Sequence, residues 1–331
     1  MKAIEVVTLT KVEGANLNSN GTEALSPSSR RCATPIDGRE YVRVSGQSVK
    51  YHLRQLLKEL GWDLSQVVPK SEGGQKVIVS LGEPHKYIDD DLFGYMLAGK
   101  KVGNVKDPKR TAVVRTNGMI SIFPYQEDRD FGGVRYDPSG GDNHNIYETE
   151  ITTNVMRGGN FFIEVDRLGV FKEGLEVPKL EGLEAKKEKD ATGKEVTLYI
   201  LPKEEREKRL KALLEAIMQY HGGAKLSNFF TKVYPEVMVV ALLRYKIPVI
   251  GGDALRVKPG YVDGKLVLDV DLLKETVEAF DDNIEKLYIG LFENRFANVD
   301  ELKKAFEGME KVEVLSMKEL RERIQNLKLG E

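Results

Sequence analysis

The 331-residue sequence holds a single cysteine, Cys32, one tryptophan and four histidines. A lone cysteine excludes an intrachain disulfide and any cysteine-based zinc cluster, and it fits a reducing, cytoplasmic compartment. His52, His85, His144 and His221 are scattered, with no H-E-x-x-H or His/Cys ligand spacing. No apolar run approaches the roughly 20 residues that span a bilayer, and the N-terminus lacks the apolar core of a signal peptide. Neither membrane nor secretion is expected. There is no G-x-x-x-x-G-K-[ST] and no G-x-G-x-x-G opening a helix, so no nucleotide cofactor is expected. No serine or cysteine has a visible base partner. Positive charge is not in excess either: 50 Lys+Arg against 52 Asp+Glu leave a net charge of −2. As an average this argues against nucleic acid, but a phosphate backbone responds to local charge.

What is present is a chain with enough apolar residues, 41%, for a large core. Val6, Val7 and Leu9 mark a first strand, and a polar loop rich in Asn, Ser and Gly follows over 13–37. Ser45 reads as the N-cap of a helix running to about Leu60. Residues 61–145 are mixed, with a helix near 91–98 and strands near 77–81 and 119–122. A strand pair is expected over 146–156 and 161–166, joined by a turn at Arg157-Gly158-Gly159-Asn160. The stretch 172–194 carries six lysines and six acids, and a turn at Ala191-Thr192-Gly193 makes it a protruding hairpin. A helix over 204–220 ends at His221-Gly222-Gly223, and 237–243 is a buried strand. Further on come a hairpin at Gly264, a helix over 270–280, a strand over 286–292 and two amphipathic helices. With the insertions set aside, the order is β-α-β-β-α-β, the ferredoxin-like unit of an α+β protein.

Local charge singles out residues 30–58. They hold seven cations (Arg30, Arg31, Arg39, Arg43, Lys50, Arg54, Lys58) and two acids (Asp37, Glu40). At about 100° per residue, Val49, Leu53, Leu56, Leu57 and Leu60 share one arc of the helix, while Gln47, Lys50, Arg54 and Lys58 share the adjoining one. A helix packed by its leucines would present a cationic rail, and its N-terminus at Ser45 adds amide donors for a phosphate. Three glycine-bearing loops, 16–21, 157–160 and 221–225, could bring further amides close to a ligand backbone. His221 reads as a helix-terminal histidine facing the C-terminal dipole, and Asp89-Asp90-Asp91 as acids complementing the N-terminal dipole of their helix. Neither is expected to hold metal.

These segments resemble the CRISPR-associated DevR-type family, the Cas-seven backbone subunits of Cascade within the RAMP superfamily. The resemblance rests on Gly14-Ala15-Asn16-Leu17-Asn18-Ser19-Asn20-Gly21, on Ser45-Gly46-Gln47-Ser48-Val49-Lys50, on Asp91-Leu92-Phe93-Gly94-Tyr95-Met96, on Tyr147-Glu148-Thr149 through Arg157-Gly158-Gly159-Asn160-Phe161-Phe162, and on His221-Gly222-Gly223-Ala224. It implies a hand-shaped subunit: a ferredoxin-like (RRM-like) palm in pieces (1–60, 146–171, 203–250), a fingers insertion over 61–145, a thumb hairpin over 172–202, and a palm-associated C-terminal segment over 251–331. Its partners would be CRISPR RNA, target DNA reached through that RNA, copies of itself head to tail, and other Cascade subunits. Carried onto this sequence, the RNA contacts would be Ser45, Gln47, Lys50, Arg54, Arg157 and Asn160, with Arg39, Arg43, Asn18 and His221 as lesser candidates. No catalytic set is expected. Two alternatives stand beside this one: an RNA-cleaving subunit using Glu23 or Asp37 with a divalent metal, and a DNA-binding autoregulator, for which no helix-turn-helix is apparent.

Overall fold

The computed structural model describes residues 1–17, 31–33, 37–65, 68–72, 75–135, 144–224 and 226–330. Nine strands form the main sheet: β1 (Ala3–Ala15), β2 (Arg31–Ala33), β3 (Glu40–Val44), β4 (Val114–Arg115), β5 (Met119–Ser121), β6 (Thr152–Glu164), β7 (Val237–Leu243), β8 (Ile284–Leu291) and β9 (Val312–Ser316). Their spatial order is β2-β3-β5-β6-β1-β7-β8-β9, with β4 pairing β6 beyond β5. Neighbours are antiparallel except β8 and β9. Thus β4 and β5, from within the 61–145 stretch, belong to the central sheet.

β1 and β7 are covered on both faces, which is why their sequences read as nearly continuous apolar runs rather than alternating ones. Ile4 and Val6 join one core, with Val49, Leu53 and Leu57 of α1 (Gly46–Glu59) and Leu210, Leu213, Leu214 and Ile217 of α3 (Lys203–Met218). Val7 and Leu9 join a second, with Val270, Leu273 and Val277 of α4 (Val270–Ala279) and Leu302 of α5 (Val299–Ala305). The last helix, α6 (Met317–Gln325), returns Leu320 and Ile324 to the first core and starts with a capping box between Ser316 and Glu319.

One expectation is corrected. Arg157-Gly158-Gly159-Asn160 is not a turn: β6 runs straight through it, and a separate strand, His144–Glu150, precedes β6. Opposite the stretch, Val6 pairs Phe161 and Thr8 pairs Gly158, so Gly159 and Asn160 together face Val7 as a β-bulge. Glycine is needed for close approach here, since a Cβ on Gly158 would lie 1.9 Å from Thr8 Oγ1. Asp89, Asp90 and Asp91 do stand in the first turn of α2 (Ile88–Phe93), where acids complement the helix dipole, and all three are also buried. Asp91 accepts from Arg110 Nη2 at 2.6 Å and Arg209 Nη1 at 2.8 Å, and also from the Gly169 N–H. Asp90 accepts from the Glu83 N–H, and Asp89 from the Ser65 N–H. The acids are a charge hub.

The charge-rich excursion is a three-stranded sheet of Val170–Lys172, Glu184–Lys189 and Glu195–Ile200, closed at its tip by Asp190, which accepts from the N–H groups of Thr192 and Lys194. Its base is held by a small cluster of Phe171, Val177, Tyr199 and Leu201. Among the described residues, no helix is long and apolar enough to cross a membrane.

Candidate nucleic-acid interface

α1 forms because Ser45 caps it, its Oγ accepting from the Ser48 N–H at 3.2 Å, and because Val49, Leu53 and Leu57 lie one turn apart on a single face. That face is narrower than the five-residue arc expected, for Leu56 is only partly buried and Leu60 is 40% exposed. On the adjoining side, Gln47 and Lys58 are exposed. Lys50 is half-buried with no ion pair among the described residues, and burial, then the neighbouring Arg54, pushes its ammonium pKa down. Arg54 turns inward: its Nε lies 3.5 Å from Asp89 Oδ2 and its guanidinium 4.7 Å from the Phe93 ring centre. The expected rail is therefore broken at Arg54 by the α2 hub.

Arg43, Arg157 and Asn160 come together elsewhere. Ile120 pairs across the sheet with both Arg43 and Arg157, and Arg157 pairs on its other side with Leu9. Directly opposed residues share a face. The two arginines thus lie on the face of Leu9 and Val155, opposite to α1 with its Lys50 and Arg54. Arg43, Asn117, Gly118, Ile120, Arg157 and Asn160 line a cavity of about 180 Å³. The bulge re-aims Asn160 into it. Gly118, at φ +87°, lets the 116–118 loop lie on the start of α1, where a Cβ would sit 2.0 Å from the Val44 carbonyl oxygen and 2.7 Å from the Gly46 nitrogen. Ser45 and Gly46 thus back the loop that floors the cavity. Arg157 is largely buried, which pushes its pKa down. It pairs at 2.8 Å with Asp253 Oδ1, whose carboxyl is held below the usual carboxylate range, chiefly by Arg256.

Two of the three glycine loops also meet, at the other end of β1. The Ala224 N–H donates to the Asn16 carbonyl at 2.7 Å, and the Gly223 N–H donates to His52 Nε2 at 3.3 Å. His221 lies beyond the C-cap of α3 at Gln219, so it does not act on the helix dipole from the last turn; its ring instead packs 5.2 Å from that of Phe230. Its Nε2 is buried without a partner among the described residues. Arg39 is exposed beside a broader groove with Lys11, Tyr125 and Tyr261. Asp37 is exposed and accepts from Tyr41 Oη at 2.5 Å and from the Arg39 N–H at 3.0 Å. Asn18, Glu23, Arg30 and Lys225 lie outside the described residues. Sequence reasoning missed Asn117, Asp253 and Arg256. Asp253 is 96 positions from Arg157 and carries no motif, so no local signal could have joined them.

The family model described as "CRISPR-associated negative auto-regulator DevR/Csa2" matches residues 4–265. The chain belongs to the DevR/Csa2 family. No curated protein matches this DevR/Csa2 chain. Among solved structures, a chain of a CRISPR RNA-guided surveillance complex is 14% identical, with 88% of this chain and 90% of that one covered at a TM-score of 0.53. A chain of a CRISPR RNA-guided surveillance complex in a pre-nicking state is 13% identical, with 98% and 99% covered at a TM-score of 0.55. At such identities the likeness is one of fold.

Proposed function

We propose that this DevR/Csa2 member is a non-catalytic, CRISPR RNA-binding backbone subunit of a type I Cascade complex, holding the RNA backbone for pairing with target DNA. The observation that carries this is the cavity shared by Arg43, Arg157 and Asn160. It gathers cations, an amide side chain and a bulged, close-approach backbone on the open part of one sheet face. Such a set grips phosphate and ribose without reading sequence. The strand order β5-β6-β1-β7, with α1 and α3 as the crossovers, supports a ferredoxin-like palm. The excursion at 170–200 supports a thumb, and assembly with copies of itself and with other subunits would follow from the family. The protein would act in the cytoplasm and need no cofactor.

The test is binding of the purified chain, freed of nucleic acid, to single-stranded RNAs of unrelated sequence between about 50 and 200 mM salt. Affinity should fall steeply with salt and alike for every sequence. A strong sequence preference, or salt-insensitive binding, would count against the reading. Incubation of the assembled complex with complementary RNA and Mg²⁺ should yield no cleavage; cleavage lost on Glu23→Ala or Asp37→Ala would make the chain a nuclease.

A further inference from the structure

The cation at the heart of the cavity already has an anionic partner. Arg157 Nη1 is 2.8 Å from Asp253 Oδ1, with the arginine side chain 17% exposed and the aspartate 75% exposed. The same oxygen accepts from Arg256 Nη2 at 2.7 Å. Asp253 stands on a strap fixed at both ends. At one end the fully buried Glu5 carboxylate accepts the N–H groups of Val249, Ile250 and Gly251 at 2.7, 2.9 and 2.8 Å. At the other, the Asp269 N–H donates to the Arg256 carbonyl at 3.0 Å. A buried carboxylate spent on three loop amides holds that strap, and with it one negative oxygen, at the tip of Arg157.

On the reading of this cavity as an RNA-backbone site, we propose that Asp253 is an internal phosphate surrogate, occupying Arg157 until a phosphate oxygen displaces it. The exchange is between like groups, since an anionic oxygen with arginine donors at hydrogen-bond distance is what an RNA phosphate also offers. Sharing makes the exchange easy. When Arg157 turns to phosphate, Asp253 keeps Arg256 and is not stranded as an unpaired charge. Its side chain is exposed enough to swing away while the strap stays pinned. The latch raises the threshold for short or stray polyanions, whereas a long RNA held at many points overcomes it.

The test is a mutant cycle on the nucleic-acid-free full chain, read by fluorescence anisotropy with oligouridylate at low salt. Asp253→Asn should tighten binding about twofold to fivefold, the range an exposed ion pair can oppose. In an Arg157→Ala background the same change should do nothing. Equal tightening in both backgrounds would mean general charge repulsion and overturn the latch, as would no tightening in the wild type. Arg157→Lys preserves a cation, and there Asp253→Asn should again tighten; failure to do so overturns the proposal. If Arg157→Ala leaves RNA affinity unchanged, the cavity is not the RNA site and the latch falls with it. If Arg157→Ala weakens binding but Asp253→Asn is neutral, only the latch fails.

Discussion

Gly158 has no room for a side chain, because a Cβ would meet Thr8 Oγ1 at 1.9 Å and Thr8 Cβ at 3.3 Å. Gly158→Ala should therefore destabilise the fold by about 1–3 kcal/mol, the usual cost of overpacking. Adding Thr8→Ala should recover part of that in denaturant unfolding. A second residue-scale outcome concerns His52. Burial, then the neighbouring His221, holds its imidazole below the ordinary histidine value of 6.5, and its neutral Nε2 accepts the Gly223 N–H. A depressed histidine pKa means the unfolded chain binds the proton first. The stability it lends is thus full above pH 6.5 and is lost as pH falls below that value. The thermal midpoint should drop below pH 6.5, and His52→Gln should flatten that dependence. On the proposed RNA-binding reading, Arg157→Ala should weaken RNA binding by about 1.5 kcal/mol, roughly tenfold, for all sequences alike. Lys50→Glu, across the sheet, should weaken it less.

Among elements, the α2 hub ties together parts far apart in the chain. Asp91 reaches Arg209 on α3, while Arg110 reaches Asp91, the Val170 carbonyl and Glu176 at the base of the 170–200 sheet. Because these charges are buried, losing one partner leaves others unmatched, and Arg209→Ala should cost on the order of 3 kcal/mol by urea titration. Hydrogen exchange should then rise at α2 and around Gly169. The helices α1, α3 and α4 and the strand β7 were legible beforehand, since their apolar residues recur at helical or continuous spacing over seven residues or more. β9, five residues between two amphipathic helices, was not, because its place is decided by pairing with β8. The run Arg157-Gly158-Gly159-Asn160 carries the composition of a turn, yet β1 and β5 pair it on either side and keep it extended.

At the scale of the molecule, a net charge of −2 conceals a sorted surface. Many cations are consumed internally: Arg54 by Asp89, Arg110 and Arg209 by Asp91, Arg295 by Glu236. Within residues 30–58 the charge offered to a polyanion is thus smaller, by Arg54, than the local composition indicates. On the proposed RNA-binding reading, the salt slope should be steep for one subunit and steeper still when several copies share one RNA.

By itself the sequence determined the helices α1, α3 and α4, the strand β7, the cap of α1, and the membership of Arg43, Arg157 and Asn160 among the candidates, because apolar period, capping chemistry and motif are local properties. Only the tertiary structure decided which candidates stand together. Register places Arg43 and Arg157 on one face of the sheet and α1 covers the other, so Lys50 and Arg54 part company with them. Pairing across dozens of residues sets which side chains share a face, and no stretch of sequence encodes that alone.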